Sequence, residues 1–250
     1  MECLQSMFSS QSTGYDKYSS MFSPEGRLYQ VEYAMEAVRY GPLAVGVVAV
    51  DGVVLAGEKR SQNTLVDLDT LKKVLLVDDH IGTAIAGLHA DARTLIKLAR
   101  QRSQIFRLNY DEEAPVRSIV VDICDRKHFH TVHPSLRPFG VSLLIGGFDS
   151  EGPQLYSTDP SGSYWGWKAT AIGKDADIVR DFFKDNYDST IDVDGAIKLA
   201  IQGLEKVTSD DESTDLAVKA KLMEIGKINE ADRKFKILED SEVEGILETL

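Results

Sequence analysis

Two runs of β-branched and small apolar residues, Leu43 to Val50 and Val53 to Ala56, are separated only by Asp51-Gly52. A connection that short joins strands only as an antiparallel hairpin, because parallel neighbours need a crossover of about a dozen residues. A second pair repeats the device: Lys73 to Val77 and Ile81 to Leu88 flank Asp78-Asp79-His80, and Gly82, Ala84, Ala86 and Gly87 suit a strand packed closely under another layer. The period then changes to that of a helix. Ala92, Leu95, Ile96, Ala99 and Ile105 mark the apolar side of a helix from Ala90 to Asn109, and Val116, Ile119, Val120 and Ile123 that of one from Ala114 to Phe129.

Strand-like runs return at Phe139 to Phe148, Gln154 to Asp159 and Ser163 to Ile172, with a turn at Asp159-Pro160-Ser161-Gly162. Helical segments follow at Asp175 to Tyr187 and Val193 to Val207. Leu216 to Ile225 and Lys234 to Leu238 read as final strands, and Ser241 to Leu247 as a short helix. Strands and helices come in segregated blocks rather than alternating singly, which favours an α+β domain over a doubly wound parallel sheet. The expected architecture is a four-layer α-β-β-α sandwich.

Ahead of the first strand, Ser23-Pro24-Glu25 carries a helix-opening pattern: a cap, a proline suited to the first turn and an acid at the positive end of the dipole. Leu28, Val31, Met35 and Val38 recur at helical spacing up to Gly41-Pro42, where glycine accepts a left-handed cap and proline ends the hydrogen-bond ladder. The expected organisation is a polar tail over 1–22 and one domain over 23–250 that begins with a helix at 24–40. The tail has neither the basic start nor the apolar core of a signal peptide, and no stretch reaches the roughly 18 apolar residues of a membrane span.

With 28 Lys+Arg against 40 Asp+Glu, the formal charge is −12. No basic run stands out, so nucleic acid is not an expected partner. Cys3 and Cys124 lack zinc or disulfide spacing, and a reducing compartment fits them. His128, His130 and His133 crowd together, but no carboxylate or thiol has a reason to join them in what reads as a loop before Pro134, so no metal or other cofactor is expected. Asp78-Asp79 and Asp210-Asp211 read as solvated turn carboxylates rather than acid/base pairs. Ser161 lacks the G-x-S-x-G context of a nucleophile and reads as turn chemistry, and Gly146-Gly147 and Gly152 do not form a phosphate loop. Trp165 and Trp167 share a strand face, suited to core packing or a contact between protomers.

Phe22-Ser23-Pro24-Glu25-Gly26-Arg27-Leu28-Tyr29-Gln30-Val31-Glu32-Tyr33-Ala34 resembles the signature of the α-type subunits of the 20S proteasome. "DGVVLAGEKR", "AGLHADARTLI", "RPFGVSLLIGG" and "LYSTDPSGSYWGWKATAIG" fall in that family's order. The resemblance implies the Ntn-hydrolase sandwich. Active β-type members use an N-terminal Thr at the start of the first strand, whose own amine serves as base. Gly41-Pro42-Leu43-Ala44 stands there in this chain, without hydroxyl or free amine, so no catalytic residue is expected. An active Ntn hydrolase and a free-standing scaffold are the rival readings.

Similarity to the α subunits further implies a seven-membered ring, leaning toward a hetero-heptamer, that caps β-type rings in the cytoplasm and nucleus. It would admit unfolded protein substrates in ubiquitin-dependent and related degradation. In that family the open gate is held by positions matching Tyr15, Asp16, Pro24 and Tyr33, in which phenol hydroxyls can bond a carboxylate while proline fixes the turn. Simple core packing is the alternative for Tyr33. C-terminal tails of regulatory particles dock at positions matching Gly41, Lys73 and Leu88: close backbone approach, an ammonium for a carboxylate, and an apolar wall. A solvated strand-end lysine is the alternative for Lys73. Lys17 departs from the family's usual Arg and cannot reproduce a guanidinium fork. His130-Thr131-Val132 departs from its usual Tyr-Thr-Gln.

Overall fold

The structure, a computed structural model, describes residues 14, 15, 17, 18, 20–59, 65–207 and 216–250. The first hairpin is β1 (Ala44–Ala49) and β2 (Gly52–Glu58), paired from Ala44↔Gly57 to Ala49↔Gly52. The turn residues are therefore Val50-Asp51, and Gly52 already belongs to the ladder. Its glycine serves a neighbouring strand: a Cβ there would lie 2.0 Å from the carbonyl oxygen of Ile228. Asp51 is pinned from two sides. Its Oδ1 accepts from the Val193 amide at 2.9 Å and its carbonyl from the Glu230 amide at 2.7 Å.

The remaining strands are β3 (Val74–Asp78), β4 (Ile81–Gly87), β5 (Val141–Asp149), β6 (Gly152–Thr158), β7 (Tyr164–Gly166), β8 (Ala169–Ile172), β9 (Met223–Asn229) and β10 (Lys236–Ile237). They form two antiparallel five-stranded sheets, ordered β10-β9-β2-β1-β8 and β3-β4-β5-β6-β7. The run Ser163 to Ile172, read in sequence as one strand, is cut in two. The Trp167 amide donates to Leu155 O at 2.9 Å in the second sheet, whereas Lys168 O accepts from the Val48 amide at 2.7 Å in the first. One peptide link thus carries the chain from sheet to sheet.

The α-helices among the described residues are α1 (Tyr29–Arg39), α2 (His89–Tyr110), α3 (Val116–Val132), α4 (Ala176–Asn186), α5 (Val193–Glu205), α6 (Leu216–Lys221) and α7 (Asp240–Leu247). Leu95, Ile119 and Ile123 of α2 and α3 pack on Leu143 and Ile145 of the second sheet. Phe183, Ile197 and Leu204 of α4 and α5 pack on Val45 and Val47 of the first. Between the sheets lie Val53, Leu55, Ala84, Leu144, Leu155 and Ile228, all fully buried or nearly so. Each large aliphatic side chain in these layers contributes about 1.5–3 kcal/mol by leaving water. The result is the four-layer α-β-β-α order.

Several local expectations give way. α1 starts at Tyr29 rather than 24, because Ser23–Gly26 closes a turn of its own (Gly26 amide to Ser23 O, 2.9 Å) and Gly26 takes φ +79, which no helix continues. Leu216 to Ile225 opens as α6 before β9 starts at Met223; its Leu, Ala and Lys residues favour helix where no sheet neighbour competes. Ile105 is exposed on α2 instead of facing the core. Asp78 is buried, accepting from the hydroxyl of Ser103 and from Gln104 and Arg107, so it is not a solvated turn carboxylate. His128 and His130 lie on α3, not in a loop, and His133 is its C-cap. His130 and His133 engage the carbonyls of Arg137 and Phe129. Among the described residues no group of His, Cys, Asp and Glu is arranged to hold a metal ion. Ser161 does belong to turn chemistry: Asp159 Oδ1 accepts from its amide and its hydroxyl. Asp210-Asp211 lies outside the described residues, as does most of the tail.

Candidate functional site

At one end of the sandwich α1 runs into β1, and the residues between are tied down by backbone. The Gly41 amide donates to Val38 O at 2.9 Å, Gly41 O accepts from the Lys174 amide at 2.9 Å, and Leu43 O accepts from the Glu58 amide at 3.0 Å. A Cβ on Gly41 would stand 2.3 Å from the Gly87 nitrogen, so the end of α1 touches the end of β4 main chain to main chain. The resemblance to the α-type signature implies that active β-type members carry their N-terminal nucleophile at this place. Gly41, Pro42, Leu43 and Ala44 provide no hydroxyl there, and the peptide bond into the preceding helix leaves no free amine.

Lys73 reaches this spot from the start of β3. It is 2 % exposed, and its Nζ donates to Ile85 O at 2.6 Å and Pro42 O at 3.3 Å. Burial lowers its pKa to about 8, although Glu58 and Glu224 pull the other way. Glu224 also fastens the backbone here: its Oε2 accepts from the amides of Lys73 at 2.5 Å and Val74 at 2.8 Å. Lys73 is thus a clamp between β4 and the residues leading into β1, and the solvated-lysine alternative is excluded. Leu88, exposed, caps the N-terminus of α2 and donates its amide to Gly140 O at 2.9 Å. Gly41 thus abuts Gly87, which Leu88 follows in the chain, while Lys73 reaches the carbonyl of Pro42 next to Gly41.

The tyrosine set lies differently. Tyr33 is 53 % exposed on α1, its ring 6.5 Å from that of Tyr29, so core packing does not explain it. Pro24 is exposed in the Ser23–Gly26 turn, and Tyr15 and Lys17 are exposed. Asp16 lies outside the described residues. Among the described residues no hydrogen bond joins Tyr15, Pro24 and Tyr33. Trp165 and Trp167 line a cleft of about 310 Å³ beside α1, with Met35 and Val38 on its other wall. Both are substantially exposed, and Trp167 Nε1 donates to Ser157 Oγ at 2.8 Å, which rules out core packing for them.

Two features of this end escaped the sequence. Asp91 accepts both arms of Arg137 at 2.7 Å and the Gly140 amide at 2.9 Å, tying α2 to the segment entering β5. Only the fold brings these residues together. The other was legible: Arg93, Lys97 and Arg100 recur every three or four residues on α2 and form a basic stripe, although no basic run stood out in a chain of net charge −12.

Two antiparallel five-stranded sheets packed face to face between helical layers define the class: a four-layer α-β-β-α sandwich. Comparison with known proteins agrees. Residues 38–222 match the proteasome subunit family, and residues 15–37 match the N-terminal signature of its α-type members. The chain is 44% identical over 234 residues to the proteasome alpha subunit of Pyrococcus abyssi, covering 94% of this chain and 87% of that one. It is 42% identical to the proteasome alpha subunit of Methanocaldococcus jannaschii (94% and 88% covered) and 43% identical to that of Methanosarcina thermophila (92% and 91%). The chain belongs to the proteasome subunit family. Within it, the N-terminal signature and these relatives mark it as α type, a non-catalytic α-ring subunit of the 20S proteasome. Among the described residues no helix is long and apolar enough to cross a membrane.

Proposed function

We propose that this protein, within a seven-membered α ring that is a hetero-heptamer, gates substrate entry and receives the C-terminal tails of regulatory particles. The tail over 1–22 is the gating element and 23–250 the ring-forming domain. Tyr15, Asp16, Pro24 and Tyr33 hold the open arrangement, and Gly41, Lys73 and Leu88 form the docking pocket. Partners are neighbouring α subunits, β-type subunits, activator tails and unfolded proteins in transit, in the cytoplasm and nucleus and in ubiquitin-dependent degradation among other routes.

The observation that carries this reading is that Gly41, just past the C-terminal end of α1, abuts Gly87 next to Leu88 while Lys73 reaches the carbonyl of Pro42; α1 is the helix that presents Tyr33. Lys73 spends two of its three donors on carbonyls, which leaves one N–H for a terminal carboxylate. Displacement of the end of α1 is then transmitted along the helix to Tyr33.

The test is fluorogenic-peptide hydrolysis by the assembled particle purified through this chain, with and without a synthetic tail peptide. Native mass spectrometry on the same fraction checks assembly. The tail peptide should stimulate hydrolysis in the wild type but not in Lys73→Ala or Tyr33→Ala particles of unchanged mass. Full stimulation in both variants would refute the assignment.

A further inference from the structure

We propose that the cleft between the segment Thr70 to Leu75 and the first half of α2 receives an acidic stretch of polypeptide, its carboxylates set against Lys72, Arg93, Lys97 and Arg100. The cleft measures about 660 Å³, and among the described residues no carboxylate lines it. From Ala92 to Tyr110 the chain has no Asp or Glu, in a protein whose acids outnumber its bases by twelve. Among the described residues the side chains of Arg93 and Lys97 make no ion pair or hydrogen bond. Arg100 donates Nε and Nη2 to Leu76 O at 2.9 and 2.6 Å, so its guanidinium is held in place while its charge remains uncompensated. Lys72 faces one carboxylate, Glu224, at 3.4 Å.

Like charges lining one cleft repel, and an anionic occupant turns that cost into attraction. Leu75, Ile85 and Ile96 give the cleft an apolar floor, which suits a peptide better than a solvated ion. A polynucleotide long enough to leave the cleft would meet an acidic remainder of the molecule.

The cleft adjoins Lys73, whose Nζ bonds the carbonyl of Ile85, one of the lining residues. His89 lines the cleft, and burial together with the Lys73 charge holds its pKa below the ordinary histidine value. A tail whose terminal carboxylate sits at Lys73 would lay its preceding residues in this cleft. The inference rests on that docking reading and adds a preference to it: tails with Glu or Asp upstream of their last three residues.

Three fluorescein-labelled peptides test it on the assembled particle by anisotropy: one with an acidic stretch and a free docking end, one with glutamines replacing the acids, and one acidic but amidated. The first should bind about tenfold more tightly than the second at low salt, through two or three screened charge contacts. That advantage should vanish in Arg93→Ala/Lys97→Ala particles, with glutamine-peptide binding unchanged. Equal binding of the first two peptides, both lost in Lys73→Ala, would overturn the acidic preference and leave docking intact. If the amidated acidic peptide binds as well as the first while the glutamine peptide does not bind, the cleft is upheld and the docking reading fails. If no peptide binds, both fall. If the double variant changes only the oligomeric state, the stripe faces a second copy and the inference is overturned. Displacement of the acidic peptide by an equal concentration of a single-stranded oligonucleotide would likewise overturn it.

Discussion

Replacing Lys127 with methionine should remove a pH dependence from the stability of this protein. Lys127 lies on α3, completely buried, with Nζ donating to Val141 O at 2.9 Å and Thr158 Oγ1 at 2.8 Å; among the described residues no carboxylate touches it. Burial lowers its pKa from 10.5 to about 8. Below pH 8 the side chain is charged in both folded and unfolded chains, and the cost of burying the charge is fully felt. Between pH 8 and 10.5 the folded chain gives up the proton while the unfolded chain keeps it, so wild-type stability rises through this window. The shift of 10.5 − 8 corresponds to about 3 kcal/mol at about 1.4 kcal/mol per pH unit. Methionine fills a similar volume without a charge. It forfeits the two hydrogen bonds, about 1 kcal/mol each, at every pH.

The stability of Lys127→Met minus that of the wild type should therefore be largest below pH 8 and shrink by about 3 kcal/mol as the pH rises to 10.5. Urea unfolding of the isolated chain, followed by the fluorescence of Trp165 and Trp167 at fixed low concentration, measures it. Lys73, also lowered to about 8, titrates alike in both proteins and cancels. Burial raises Cys124 to about 12, with Lys127 acting against it, so the pair is best compared in a Cys124→Ala background. Parallel stability curves across the window would mean that Lys127 keeps its proton in the folded chain up to its ordinary pKa.

Gly82→Ala should cost about 1–3 kcal/mol in thermal or urea unfolding, because the new Cβ would fall 2.2 Å from the buried Phe235 ring. A double variant with Phe235→Leu should recover part of that loss. Gly41→Ala should destabilise the fold by about 3 kcal/mol and abolish tail-peptide stimulation, since the backbone of Gly87 cannot yield as a side chain would. Asp91→Asn should lower stability at neutral pH by about 1–2 kcal/mol. Burial pushes the Asp91 carboxyl up, but Arg137 and the Gly140 amide outweigh it and hold the pKa below its ordinary value. The contribution is thus present above the unfolded carboxylate pKa and lost as the pH falls through the folded one, so wild type and variant should converge in acid unfolding.

Most of the element order was legible because its signals are local: continuous β-branched apolar runs within Leu43 to Ala56, broken by turn residues, and helical spacing over Ala90 to Asn109 survive any tertiary arrangement. The absence of a nucleophile was legible too, since Gly41 to Ala44 have no side-chain hydroxyl whatever surrounds them. Failures occur where a neighbour decides. The turn moved to Val50-Asp51 because Asp51 is claimed by Val193 and Glu230, and Gly52 is shaped by Ile228. Asp78 looked solvated until Ser103, Gln104 and Arg107, in the second half of α2, came to face it.

The layered class could be read from residue types and spacing along the chain, whereas the family and the lack of catalysis were implied by the resemblance of Phe22 to Ala34 to an α-type signature and shown by the matches over residues 15–37 and 38–222. The tertiary structure alone decided that Ser163 to Ile172 divides between two sheets, that Lys73 and Lys127 are buried rather than solvated, and that Lys72, Arg93, Lys97 and Arg100 border one cleft. Hydrogen-bond partners and desolvation come from segments tens to more than a hundred residues away. Their free energies are fixed only when the sandwich closes.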